Sequence, residues 1–332
     1  MKILIVRLGS LGDIIHTVPA VAAIRGARPQ AEIHWVVDLR HLDLLELVEG
    51  VHRIHPLKAT AAGWLSIAGP LRREKFDVVL DFQGLIKSAT LARLSGARRV
   101  VGFAKHALRE SAASSFYSET ISAPAGGHVI DKNLLLLRAI DILHPAAPSF
   151  PFRRVASAAL QHARTRTGGR FAIVNPGAAW PNKRWHPERF GSLAARMQAR
   201  HALPSIVIWG PGERELADRV AAASQGAAFV APATSIADLF ALCSETALMV
   251  SGDTGPLHIA AAMRAPIVGI YGPTDPARNG PWSQDDVCVS RFAACGCHHL
   301  RKCTQAQWCL EDVQVDEVAR AVERRMAGAP AR

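Results

Sequence analysis

The chain has 332 residues, 49% of them hydrophobic and 20% charged, which gives two domains of about 150 residues enough apolar surface to pack and leaves no basis for global disorder. The formal net charge of +11 favours anionic partners, such as phosphorylated substrates or acidic head groups. No block of five or six consecutive Lys and Arg occurs, which argues against a nucleic-acid binder, and no apolar run reaches the roughly 18 residues that span a bilayer. The opening run Ile3 to Leu8 is short and broken by Arg7, unlike a secretory signal, so a cytosolic protein is expected.

In chain order, strands are predicted at Lys2–Leu8, Glu32–Asp38, Arg53–Leu57, Asp77–Phe82 and Arg99–Phe103, each nearly continuous in apolar, largely β-branched residues. Helical patterns lie between them at Ile14–Arg25, His41–Val48, Leu65–Arg73 and Leu85–Leu94, and one longer helix is predicted at His128–Leu143. His144 to Arg154 carries Pro145, Pro148 and Pro151 and reads as a linker. The pattern then restarts, with strands at Phe171–Asn175, Ser205–Trp209, Ala247–Ser251 and Pro266–Tyr271. Helices are predicted at Pro187–Arg200, Glu213–Ala223, Ile236–Cys243, Pro256–Met263 and Val313–Met326. Strand-helix alternation in both halves predicts an α/β protein made of two doubly wound, Rossmann-like domains, residues 1–150 and 151–312, facing a central cleft. Ligands of such sheets bind beyond the carboxyl ends of the strands, so the loops after strands hold the candidate site.

Arg7-Leu8-Gly9-Ser10-Leu11-Gly12-Asp13 follows the first strand. Gly9 and Gly12 let the backbone approach a ligand, and the next helix offers N–H groups to an anion. The spacing is not the dinucleotide fingerprint, and Asp13 reads either as a helix cap or as a general base. Asp81-Phe82-Gln83-Gly84-Leu85-Ile86-Lys87-Ser88 could line an acceptor site through Gln83 and Lys87. Asn175-Pro176-Gly177-Ala178-Ala179-Trp180-Pro181-Asn182-Lys183-Arg184-Trp185 joins a small-residue loop to two cations, a combination that suits a diphosphate. In Ser251-Gly252-Asp253-Thr254-Gly255-Pro256-Leu257-His258 the helix start suits phosphate and Asp253 suits sugar hydroxyls, while Gly269 to Pro276 reads as a pocket wall. No D-x-D carboxylate pair suited to Mg²⁺ occurs in these loops, so no metal and no cofactor is expected. Cys295, Cys297, Cys303 and Cys309 crowd together without the paired C-x2-C knuckles of a zinc ribbon, and read as reduced thiols in a surface loop rather than a structural metal site.

Three segments, RLGSLGDIIHTVPA, DFQGLIKSA and SGDTGPLHIAAAMRAPIVGIYGPTDP, in this order, resemble the ADP-heptose:lipopolysaccharide heptosyltransferases of glycosyltransferase family 9, with most likeness to the heptosyltransferase I branch. The resemblance implies the GT-B fold, with an acceptor-binding first domain, a nucleotide-sugar-binding second domain, and a C-terminal helix within 313–332 that packs back toward the first domain. It implies inverting transfer of heptose from ADP-heptose to a Kdo-lipid A acceptor; another nucleotide-sugar or another glycan acceptor is the alternative. By the same resemblance Asp13 matches the catalytic base. Lys183, Glu213, Asp253, Thr254, Gly255 and His258 match donor-binding positions, Gly9, Ser10, Gly12, Gly177, Ala178 and Ala179 the phosphate-side loops, and Arg109, with Gln83 and Lys87, the acceptor side. Ala178 and Ala179 depart from the hydroxyl residues common in that branch, and the four-cysteine segment looks more like other branches. An anionic acceptor fits the positive charge, and peripheral attachment to the anionic cytoplasmic face of the inner membrane follows from it.

Overall fold

The computed structural model describes residues 1–143, 147–298 and 300–328, so Pro145 of the predicted linker lies outside the described residues. The chain divides into two compact units, Met1–Arg153 and Arg154–Arg332.

The first unit holds β1 (Lys2–Val6), β2 (Glu32–Asp38), β3 (Arg53–Leu57), β4 (Val78–Asp81), β5 (Arg99–Phe103) and β6 (Glu119–Ile121). They form one parallel sheet in the order β3-β2-β1-β4-β5-β6. The second unit holds β7 (Ala172–Asn175), β8 (Ser205–Val207), β9 (Ala228–Val230), β10 (Leu248–Gly252), β11 (Ile267–Tyr271) and β12 (Val287–Ser290), ordered β12-β11-β10-β7-β8-β9 and again parallel. Counted from its own first strand, each sheet runs 3-2-1-4-5-6 or a two-fold equivalent, the doubly wound arrangement. Helices cover both faces, so Ile3, Leu4, Ile5 and Val6 in one sheet and Leu248, Met249 and Val250 in the other are fully buried.

The central strands fall where the apolar runs predict them. β6, β9 and β12 were not predicted: each lies at or next to a sheet edge and is only three or four residues long, too short for a periodic signal. The predicted helix Ile14–Arg25 is two helices, Leu11–Ile15 and Val18–Ala27, because Pro19 starts the second and cannot continue the first. The long helix expected at His128–Leu143 runs only from Val129 to Leu135 before tightening into a 3-10 turn at Leu136–Ile140. A helix at Ala158–Thr167, started by the Ser157 side chain accepting from the Leu160 N–H at 3.0 Å, was not anticipated.

The final helix, Val315–Ala327, was expected to pack back on the first domain. Its described packing is within the second unit, against the helix Pro187–His201 and strands β11 and β12. Val318, Ala321 and Val322 complete that unit's core beside Trp185, Phe190 and Leu193, and Arg325 pairs with the buried Asp286 at 2.7 Å. Its apolar stripe is thereby covered.

Candidate functional site

In each sheet the strand order reverses between its two central strands, β1 and β4 in the first unit and β10 and β7 in the second. At that point successive loops leave in opposite directions and open a crevice. All the predicted site segments emerge there or beside it.

In the first unit the turn after β1 is held on both sides. The Gln83 Oε1 accepts from the Leu8 N–H at 3.0 Å and the Gly9 N–H at 3.4 Å. An added Cβ on Gly9 would stand 2.9 Å from the His41 Nε2, so the His41 ring would have to swing aside. Asp13, in the first turn of the helix Leu11–Ile15, accepts from the Ser10 N–H at 2.9 Å and the Ser10 hydroxyl at 3.1 Å on one oxygen. Its other oxygen pairs with an Arg7 guanidinium nitrogen at 2.6 Å. The carboxylate is a cap in this state, and a third of its side chain is exposed (33%). Arg7 was quoted in the motif but given no role. It is buried, donates also to the Phe82 carbonyl, and so ties the first turn to the loop after β4. Only the tertiary structure identifies it, because a charged residue at the end of a strand looks like any surface arginine.

Gln83, Lys87 and Arg109 gather at one junction. The buried Asp81 organises it, accepting from the Gln83 and Gly84 N–H groups (2.9 and 3.2 Å), the Ser88 hydroxyl (2.8 Å) and the Tyr117 hydroxyl (2.8 Å). Burial pushes the Asp81 carboxyl above its ordinary range, against those hydrogen bonds. Glu110, next to Arg109, accepts from the Ile86 N–H at 2.8 Å and brings the 108–110 segment to the start of the helix Ile86–Leu94. Lys87 and Arg109 are exposed there, whereas the Gln83 carbonyl oxygen is already engaged by the Gly9 turn.

In the second unit Asn175, at the end of β7, cross-links two loops. Its amide donates to the Ser251 and Thr254 hydroxyls, both at 3.0 Å, and to the Gly177 carbonyl at 3.4 Å. Asp253 is buried at the tip of β10 and surrounded by donors. Lys183 Nζ lies 2.5 Å from one oxygen, and Asn279 Nδ2 and His258 Nε2 lie 2.8 and 3.3 Å from the other. Burial alone would raise this carboxyl, but His258 and Lys183 together hold it far below the ordinary carboxylate range. Lys183 also lies 4.6 Å above the Trp180 ring, which fixes its direction. Gly252 is obligatory here: an added Cβ would meet the Lys183 carbonyl at 2.7 Å. Thr254 makes no side-chain cap to the helix Gly255–Ala262, which leaves that helix start suited to an anion.

Glu213 sits deeper than its loop position suggests. It pairs with Arg184 at 3.1 Å and accepts from the Gly210 N–H at 3.2 Å. It packs so closely that a Cβ on Gly177 would stand 2.0 Å from its carboxylate. Arg184 also donates to the Ala178 carbonyl at 2.8 Å, so Gly177, Ala178, Arg184 and Glu213 form one braced corner, with Ala178 buried and Ala179 exposed. Sequence reasoning missed Asn279 because it lies beyond the glycine-proline turn, with no motif of its own. The Tyr271 hydroxyl, the Thr274 hydroxyl and the Asn279 Oδ1 in the same wall are buried without a hydrogen-bond partner, so this wall retains unused polar groups.

The cysteine segment departs from expectation. Cys295 and Cys297 are buried, not surface thiols, because the segment folds over them. Among the described residues His34, His55 and Glu74 also converge, on β2, β3 and the end of the helix Ala61–Glu74. Their groups already serve one another and Glu32, Lys2 and Arg53: His34 Nδ1 lies 2.9 Å from His55 Nε2, His34 pairs with Glu32 at 2.9 Å, and Glu74 pairs with Lys2 and Arg53 at 3.0 and 2.5 Å.

The family model of glycosyltransferase family 9 (heptosyltransferase) matches residues 64–309. The chain belongs to glycosyltransferase family 9. This heptosyltransferase family member is 29% identical to lipopolysaccharide heptosyltransferase 1 of Pseudomonas aeruginosa, over 92% of this chain and 88% of that protein. Its structure is similar to that of the Escherichia coli heptosyltransferase WaaC with ADP, at a TM-score of 0.74 and 25% identity, over 98% of this chain and all of the other (100%). The same enzyme with ADP-2-deoxy-2-fluoro heptose matches at a TM-score of 0.75 and 25% identity, over 97% and 99% of the two chains. The family 9 chain is therefore a glycosyltransferase of GT-B architecture, built from two parallel six-stranded sheets.

Proposed function

We propose that this enzyme moves heptose from ADP-heptose to the Kdo-lipid A inner core of lipopolysaccharide in one metal-independent displacement that inverts the anomeric carbon. The observation that carries this reading is the cluster of Lys183, Asp253 and His258 beside the uncapped start of the helix Gly255–Ala262. It is a fixed cationic and N–H surface at the crevice where a sugar diphosphate would lie. Family membership and the likeness to WaaC bound to ADP and to a fluorinated ADP-heptose favour heptose over other donors.

In this scheme the acceptor hydroxyl oxygen attacks the anomeric carbon while the bond from that carbon to the β-phosphate oxygen breaks. Asp13 takes the hydroxyl proton, and Arg7 and Ser10 keep its carboxylate oriented. Negative charge that develops on ADP is met by Lys183, whose ammonium has donors to spare beyond Asp253, and by the first N–H groups of the helix after Thr254. Asp253 and Glu213 fix the donor loops and can accept from sugar hydroxyls. The mixed polar surface around Lys87 and Arg109 receives the acidic acceptor, and an anionic membrane would add about 1 kcal/mol for each well-placed cation.

Incubation with ADP-heptose and Kdo₂-lipid A should yield, by mass spectrometry, an acceptor heavier by one heptose, whose anomeric coupling by NMR shows the configuration opposite to the donor's. No product with ADP-heptose but product with a UDP-sugar would overturn the donor assignment. Activity abolished by chelation and restored by Mg²⁺ would overturn the metal-independent step. Retention on anionic vesicles at high salt, or no retention at low salt, would refute electrostatic attachment.

A further inference from the structure

Among its described residues, the segment between β12 and the final helix contains only two short 3-10 turns, Phe292–Ala294 and Cys309–Asp312. A connection of this length without regular structure needs something to order it. Apolar packing does not supply that order: from His298 to Trp308 every described residue is exposed or half-buried, including Leu300 at 48%.

The four cysteines nevertheless lie as two neighbouring pairs, with no three of their sulfurs mutually within 4.8 Å. Cys297 Sγ lies 3.4 Å from Cys303 Sγ, and the Cys309 thiol is in hydrogen-bond contact with Cys295. Backbone N–H groups aim at the sulfurs: Cys297 N lies 3.3 Å from Cys295 Sγ and Thr304 N lies 3.1 Å from Cys297 Sγ. Neutral thiols are weak acceptors, whereas thiolates accept such bonds well. Several thiolates this close repel one another unless a cation lies among them.

We propose that Cys295, Cys297, Cys303 and Cys309 form a four-thiolate site for a zinc-class divalent ion. Zinc–sulfur bonds of about 2.3 Å place tetrahedral sulfurs about 3.8 Å apart, close to the Cys297–Cys303 separation of 3.4 Å, and on binding the Cys295 and Cys309 side chains would rotate toward that pair. The ion would be structural, since four protein ligands leave no open position.

The site would act on the donor loop through packing. The Leu300 carbonyl accepts from Asn182 Nδ2 at 2.8 Å, and Trp308 Nε1 donates to the Asn182 carbonyl at 2.9 Å. Asn182 directly precedes Lys183, and the Arg301 guanidinium lies 5.9 Å from the centre of the Trp180 ring that backs Lys183. A Cβ on Gly272 would stand 3.0 Å from Cys309 Sγ, so the knot also presses on the turn after β11. This coupling rests on the proposed role of Lys183; the ion site itself does not.

The full-length protein, purified without chelator, should contain about one zinc per chain by elemental mass spectrometry. The Cys297→Ser, Cys303→Ser double variant should contain none. Because that variant can misfold, the wild-type chain is also stripped, reduced and titrated with Co²⁺, which should develop thiolate charge-transfer and tetrahedral d–d bands at one equivalent. Absence of zinc together with absence of those bands overturns the proposal. So does non-reducing mass spectrometry that finds native disulfides among the four. Zinc removal should weaken ADP binding at least tenfold, reversed by Zn²⁺ but not Mg²⁺; unchanged ADP affinity overturns the link to the donor loop. The zinc count is independent of the sugar transferred, so a failed heptose assay and a failed metal assay are separate results.

Discussion

Two carboxylates stand beside the central strands of the two sheets, one after a first strand and one after a fourth. Asp13 lies in the first helical turn after β1, and Asp253 lies at the tip of β10, each beside the point where strand order reverses. Their surroundings differ. Asp13 keeps a third of its side chain in solvent and is held by Arg7 and the Ser10 cap (33%). Asp253 is almost fully buried among Lys183, His258 and Asn279 (4%). A strand-turn-helix junction thus holds an accessible, oriented carboxylate in one unit and a buried, charge-locked one in the other. Access fits the proposed roles: a group that exchanges protons needs it, and one that braces a loop does not.

Substitutions should separate the two. Asp13→Asn should lower turnover by about 10²–10⁴-fold while ADP affinity and melting temperature stay near wild type. A protein that loses its fold but keeps turnover in the folded fraction would leave Asp13 as a cap alone. Asp253→Ala should do the reverse, destabilising the protein by about 3–5 kcal/mol because it strands Lys183 in a mostly buried site. Denaturant unfolding measures this, and a change below 1 kcal/mol would end the contrast. Lys183→Ala should weaken ADP binding by about 10–100-fold, the value of a charge-assisted hydrogen bond, in a calorimetric titration; unchanged affinity would remove Lys183 from the phosphate site.

Acid should act through a third group. Burial, with the neighbouring His34, lowers His55 to about 4, so the folded chain binds this proton more weakly than the unfolded chain does. Stability is then fully present above about 6.5 and is lost progressively as pH falls toward 4. Asp253, lowered from a reference value of 3.8, adds loss only below that value. Melting temperature followed from pH 7 to 4 should fall in wild type and flatten in His55→Gln; equal slopes would assign the acid sensitivity elsewhere.

The sequence by itself determined the two-sheet plan, since continuous apolar runs at β1, β4, β7 and β10 can be buried only by helices on both sides. It also singled out the turns that carry the candidate site, because glycine-punctuated turns after those strands are local features with local causes. It did not contain the partnerships. Arg7 reaching Asp13 and Phe82, Asn279 reaching Asp253 across 26 residues, and Glu213 filling the space beside Gly177 all join segments that only the fold makes neighbours. The short strands β6, β9 and β12 and the packing of the final helix were likewise settled by the sheet they complete. Local chemistry fixes which turns can hold a ligand, whereas long-range packing fixes which charges stand in them, because an ion pair's geometry depends on backbone positions that no nearby residue sets.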